Sequence, residues 1–154
     1  MKIGFKKIHP DAVIPKYAHE GDAGMDVYSV EDVVLNLHEP TIVKTGLIAD
    51  IPTGYEIQVR PRSGLAVKGV TVWNSPGTID SGYRGEIGVI LIACKGNGVL
   101  DSPMMSPLAR SFKINKGDRI AQLVVAPVTK CEPVEVKDVS DTERGDGGFG
   151  STGV

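Results

Sequence analysis

At 154 residues and 16.3 kDa, the chain has material for one domain around one core and no room for a second. A formal net charge of −2, with lysines and arginines scattered along the sequence, argues against duplex nucleic acid or an acidic membrane as a partner; any phosphate it binds is small and locally held. "MKIGFKKIHPDAV" at the start lacks the apolar run of a secretory signal and no stretch reaches the length of a membrane span, so the sequence reads as soluble and intracellular, cytoplasmic or, in a eukaryote, nuclear.

The 19 glycines and 10 prolines cut the apolar runs into short pieces spaced as in all-β domains. Residues 3–7, 25–28, 33–37 and 41–44 are the first expected strands. "YEIQVR" (55–60) alternates apolar with polar residues, the pattern of a strand with one wet face. "SGLAVKG" (63–69) reads as a short helix with Ser63 as N-cap and Gly69 beyond its end. Preceded by Arg62, its free N–H groups suit a phosphate, though an ordinary capped turn fits the segment equally. "NSPGTIDSGYRGEIG" (74–88) follows the 70–72 run; turn signals at Pro76–Gly77 and Ser81–Gly82 place Thr78, Ile79 and Asp80 in or beside a hairpin. Asp80, partly buried at a strand edge, has the chemistry of a general base for an attacking water, and equally that of a turn cap.

"IGVILIA" (87–93) is continuously apolar and predicts a central strand. Residues 95–111 predict an exposed loop in which Val99, Leu100, Met104, Met105 and Leu108 are apolar enough to fold onto something; a passive insertion is favoured over a partner site. Strands at 112–114 and 119–128 complete a β-sandwich or jelly roll without internal repeats. Cys94 and Cys131 lie in apolar runs and are expected to be buried, reduced thiols.

The chain closes on "ERGDGGFGSTGV". So many glycines favour a segment that is mobile when nothing is bound. "GDGGFG" fits a dinucleotide fingerprint only in its spacing, because the required strand, helix and later acidic residue are missing. A solvating tail has no use for Phe149. Arg144, the glycine N–H groups and the hydroxyls suit phosphate oxygens, and Phe149 suits a flat ring, so the tail reads as a lid over a ligand both aromatic and phosphorylated. Neither a Walker lysine motif nor zinc-deaminase spacing occurs, and His9, His19 and His38 are dispersed.

"AGMDVYS" (23–29), "PRSGLA" (61–66), "NSPGTIDSGYRGEI" (74–87), "GDRIAQLV" (117–124) and "RGDGGFGSTG" (144–153) resemble, in order, the five motifs of the trimeric dUTPases. The resemblance covers nearly the whole chain. It implies an all-β jelly-roll sandwich or barrel over residues 1–137, with one short helix and a flexible lid at 138–154. It also implies hydrolysis of dUTP to dUMP and pyrophosphate by water attack at the α-phosphorus, in a homotrimer with shared active sites.

By the same resemblance Asp80 orients the water, and Tyr83 packs beneath the deoxyribose and leaves no space for a 2′-hydroxyl. Asn74, with backbone groups of Gly77 and Ile79, reads the uracil edge. Arg62, Ser63, Gly64 and Gln122 contact the phosphate chain. Asp26 reaches Mg2+ through water, the ion being held mainly by the triphosphate. Phe149 stacks on uracil, Arg144, Ser151 and Thr152 hold the terminal phosphate, and Gly150 between them also contacts the substrate. A dCTP deaminase on the same fold needs a glutamate on the strand after the hairpin, where "IGVILIA" offers none. A non-catalytic nucleotide sensor is expected to have lost Asp80 or Tyr83, and both are present.

Overall fold

The computed structural model describes residues 1–94 and 111–148. Within them the chain forms β1 (Gly4–Lys7), β2 (Met25–Tyr28), β3 (Val33–Asn36), β4 (Thr41–Lys44), β5 (Leu47–Asp50), β6 (Tyr55–Arg60), α1 (Ser63–Ala66), β7 (Val70–Val72), β8 (Gly77–Ile79), β9 (Gly88–Ala93), β10 (Ser111–Ile114) and β11 (Arg119–Pro127). Every strand-to-strand ladder is antiparallel: β2-β11-β6-β8, β4-β9-β7, β1-β5 and β10-β3. This is the all-β jelly-roll sandwich that the short apolar runs imply.

The two larger sheets follow from two sequences. β11 is nine residues long and lies between β2 and β6; its Ile120, Ala121 and Leu123 are buried. β9, apolar throughout, is central between β4 and β7, and its Val89, Leu91 and Ala93 are wholly excluded from solvent. One core joins the sheets, with Leu35, Leu47, Ile57, Leu91 and Ile114 among its largest buried side chains. Each such side chain contributes roughly 1.5–3 kcal/mol by leaving water.

β5 lies within a run that the sequence reading left unassigned. It is four residues long, and although Leu47 and Ala49 face inward, its outward residue Ile48 is also apolar, so no alternation marks it. Gly46, at φ +66, turns the chain between β4 and β5. The remaining expected strands form with ends shifted by about one residue.

The expected cap on α1 is corrected. Arg62, still extended at φ −91 and ψ 129, is the N-cap, and no side chain bonds there; Ser63 is already helical, because the Ala66 N–H donates to the Arg62 carbonyl at 2.9 Å. Gly69 does lie past the helix end, at φ +85. The cysteines are corrected too: both are exposed. Cys94 follows the last core residue of β9 with its N–H held by the Gly69 carbonyl, and Cys131 comes after β11 has left the sheet. Ser111, expected in the loop, is the buried first residue of β10; residues 95–110 lie outside the described residues. Among the described residues no helix is long and apolar enough to cross a membrane.

Candidate functional site

Asp26 is 6% exposed on β2, a position that an ionised carboxylate tolerates only with partners. It has two. Arg62 Nε donates to Oδ1 at 3.0 Å and Arg119 Nη1 to Oδ2 at 3.1 Å. Arg62 Nη1 also donates to the Arg119 carbonyl at 3.2 Å. Gln122 stands in register with Asp26 on one side and Arg60 on the other. Gly24 admits the Gln122 side chain, since a Cβ at Gly24 would sit 3.1 Å from its Oε1. Ser63 and Gly64, exposed at the start of α1, follow Arg62 directly; the first N–H groups of a helix lack intrahelical partners. Residues 26, 62, 63, 64, 119 and 122 thus form one donor-rich cluster in which two guanidiniums face one carboxylate.

The hairpin forms a second cluster. Burial alternates along β8, with Gly77 and Ile79 inward and Thr78 outward, and the next step places Asp80 in solvent. Asp80 is therefore exposed rather than partly buried, because β8 is an edge strand that ends just before it. Gly77 lets the Asn74 amide approach: a Cβ there would lie 3.0 Å from Asn74 Nδ2. The Tyr83 N–H donates to the Asp80 carbonyl at 3.0 Å, and Tyr83 Oη donates to the Glu86 carbonyl at 3.0 Å. Gly85 has no side chain to collide with the Tyr83 ring. Thr78, Ile79, Asp80, Tyr83, Glu86, Ile87 and Gly88 line a cleft of about 170 Å³.

Arg144 stands apart from both, exposed, with Nε donating to the Gly147 carbonyl at 2.9 Å. Phe149, Gly150, Ser151 and Thr152 lie outside the described residues.

The strand register sets the distance between the clusters. Asp26, Gln122 and Arg60 share one row across β2, β11 and β6, whereas Asp80 follows the Ile57–Ile79 pair toward the other end of β6. Four residues along the strands and three strand spacings across separate Asp26 from Asp80 by about 20 Å. A base acts within about 3 Å of its water. Within one chain, then, the hairpin carboxylate and the Asp26–Arg62 cluster do not converge on one phosphorus.

Three side chains placed at these clusters escaped sequence reasoning. Arg119 was visible only as the polar start of "RIAQLV"; its role depends on the β2–β11 register. Arg84 ties the hairpin turn by donating from Nη1 to the Ser81 and Tyr83 carbonyls, at 2.8 and 2.9 Å. Glu86 lines the cleft. No group of three or more His, Cys, Asp or Glu able to hold a metal occurs among the described residues.

Residues 10–153 match the dUTPase family. The chain is similar, at 51% identity over all of both chains, to the deoxyuridine 5'-triphosphate nucleotidohydrolase of Picosynechococcus sp.. Its structure is similar to that of a mutant dUTPase of Staphylococcus bacteriophage 80alpha with dUpNHpp, at 32% identity, 99% coverage of each chain and a TM-score of 0.86. It is also similar to a mutant dUTPase from phage phi11 of S. aureus that coordinates a structural Mg(II) ion, at 28% identity, a TM-score of 0.78, and coverage of 92% of this chain and 100% of that one.

Proposed function

The chain belongs to the dUTPase family and hydrolyses dUTP, and on that premise we propose how its own residues divide the reaction. A water held by Asp80 attacks the α-phosphorus; Asp80 takes its proton as the new P–O bond forms and the bond to the β-phosphate bridge breaks. dUMP and pyrophosphate leave. In the cell this limits uracil incorporation into DNA and supplies dUMP for thymidylate synthesis.

The cleft carries this reading, because it brings an exposed carboxylate, an aromatic ring and the inner edge of β8 together. Tyr83 lies beneath the deoxyribose, and Asn74 with backbone groups of Gly77 and Ile79 reads uracil. Arg62, Ser63, Gly64 and Gln122 hold the phosphates, so that fixed donors meet the charge developing in the transition state. Residues 138–154 act as the lid, with Arg144, Gly150, Ser151 and Thr152 on the terminal phosphate and Phe149 on the base; closure excludes water.

Mg2+ fits this donor set as an ion that arrives on the triphosphate. Asp26 is one carboxylate already shared by two arginines, yet each oxygen keeps a further lone pair for a metal-bound water. When bound, the ion neutralises charge on the phosphate chain.

The separation of about 20 Å between Asp26 and Asp80 supports a site assembled from two copies of the chain, as in a homotrimer. One copy supplies the hairpin and its neighbour the Asp26–Arg62 cluster.

The test is hydrolysis of dUTP in heavy-oxygen water. Label in dUMP is expected; label in pyrophosphate would place attack at the β-phosphorus and overturn the assignment. Untouched dCTP, dTTP and UTP in the same assay would support the hairpin and Tyr83 roles.

A further inference from the structure

We infer that Glu86 is a positioning residue that fixes the height of the Tyr83 ring and so sets discrimination between deoxyribose and ribose substrates. The inference rests on the dUTPase reading and deepens it. Tyr83 is 47% exposed, and at the far end of its ring the hydroxyl donates to the Glu86 carbonyl at 3.0 Å. Where that carbonyl sits decides where the ring sits.

Three bonds fix it. The Gly46 N–H donates to Glu86 Oε1 at 2.8 Å, the Ile87 N–H donates to the Leu47 carbonyl at 2.8 Å, and the buried Thr45 hydroxyl donates to the Ile87 carbonyl at 2.6 Å. The side-chain bond is made by an ionised acceptor and is the stronger kind. Its partner is closely packed. Gly46 has φ +66, a Cβ on it would lie 2.6 Å from His9 Cβ and 3.0 Å from Ala12 Cβ, and its carbonyl receives the Ile8 N–H at 2.8 Å. Glu86 thus links the sugar-facing ring to a point enclosed by the core, and it does so from the wall of the cleft that holds Asp80.

Without that side chain the 83–87 return is held by the bonds from Ile87 onward and by the solvent-exposed Arg84–Asp50 pair, at 3.2 Å, which is weak, and the ring gains freedom to drop. A lower ring admits a 2′-hydroxyl. Glutamine keeps an acceptor at the same reach and should restore the position.

The experiment compares wild type, Glu86→Ala, Glu86→Gln and the core control Val43→Ala for kcat/KM on dUTP and on UTP, with thermal unfolding of each. Glu86→Ala is expected to lose dUTP-over-UTP selectivity by about tenfold or more, and Glu86→Gln to regain it to within about twofold. Val43→Ala, from a position fully buried on β4, should lower the melting temperature with the ratio unchanged. Wild-type selectivity in Glu86→Ala would overturn the inference. Amide hydrogen exchange without substrate gives a readout independent of turnover: faster exchange at Gly46 and Tyr83 in Glu86→Ala supports the anchor, and unchanged exchange overturns it. Failure of wild type to hydrolyse dUTP would overturn the dUTPase reading alone.

Discussion

Mixing two inactive variants tests the division of the site between copies. Asp80→Asn keeps the shape of the hairpin but removes the proposed base, an expected loss of about 10²–10⁴ in rate. Arg62→Ala removes the guanidinium that binds Asp26 and, on the proposed reading, holds the phosphate chain. Each homo-oligomer should be nearly inactive. If Asp80 and Arg62 of one site come from different copies, as their separation of about 20 Å implies, a site is competent when the hairpin comes from Arg62→Ala and the cluster from Asp80→Asn. Random assembly from equal amounts makes about a quarter of the sites competent, since two independent choices must each fall the right way. The variants are unfolded together, refolded, and assayed for dUMP release against wild type treated identically. Activity should peak at the equal mixture near a quarter of the wild-type value. A mixture no more active than its parents, at every ratio, would show that one chain carries a whole site.

Removing the carboxylate at Asp26 should loosen the fold as well as the site. Asp26→Ala leaves two guanidiniums without their acceptor, but their side chains are 23% and 50% exposed, so the loss in urea unfolding is expected at about 1–3 kcal/mol, below the 3–5 kcal/mol typical of a fully buried pair. A change within about 0.5 kcal/mol would refute the pairing's importance. Gly46→Ala should be more damaging, about 2–4 kcal/mol, because it adds both an unfavourable left-handed φ and an overlap with His9. Truncation before Arg144 should cut turnover sharply with the melting temperature nearly unchanged; full activity in the shortened protein would sink the lid. Lys116 Nζ, 3.0 Å from Asp11 Oδ2, lowers the Asp11 pKa below its ordinary value by hydrogen bond and charge. Stability linked to Asp11 is present above the unfolded value and lost as pH falls through the lowered folded one. An NMR titration should show the Asp11 midpoint rising in Lys116→Met.

The strands legible in the sequence were those whose chemistry matched their exposure. Tyr55–Arg60 alternates, and the β9 run is apolar where it lies between β4 and β7, with Val89 and Leu91–Ala93 buried and Ile90 half-buried. β5 was not legible, because Ile48 faces outward and breaks the link between polarity and exposure. Individual site residues stood out wherever turn chemistry isolated them, as at Gly77 and Asp80. Their assembly did not. Arg119 becomes a partner of Asp26 only through a pairing of strands some ninety positions apart, and local spacing holds no record of such a register. The same gap hid the distance between the clusters: motifs adjacent in a list of sequence signals lie at opposite ends of β6. Cysteine burial was not legible because the apolar run before each cysteine ends with its strand: Cys94 lies one residue past β9 and Cys131 four past β11.

The paired arginines also set how much charge the cluster offers. Arg62 and Arg119 share one internal counter-ion, Asp26, so the three side chains together carry one net positive charge. Each guanidinium uses one or two of its five N–H donors in these bonds. On the proposed reading a triphosphate meets guanidiniums already held in place, and the response of KM to added salt should be shallower than two unpaired arginines would give.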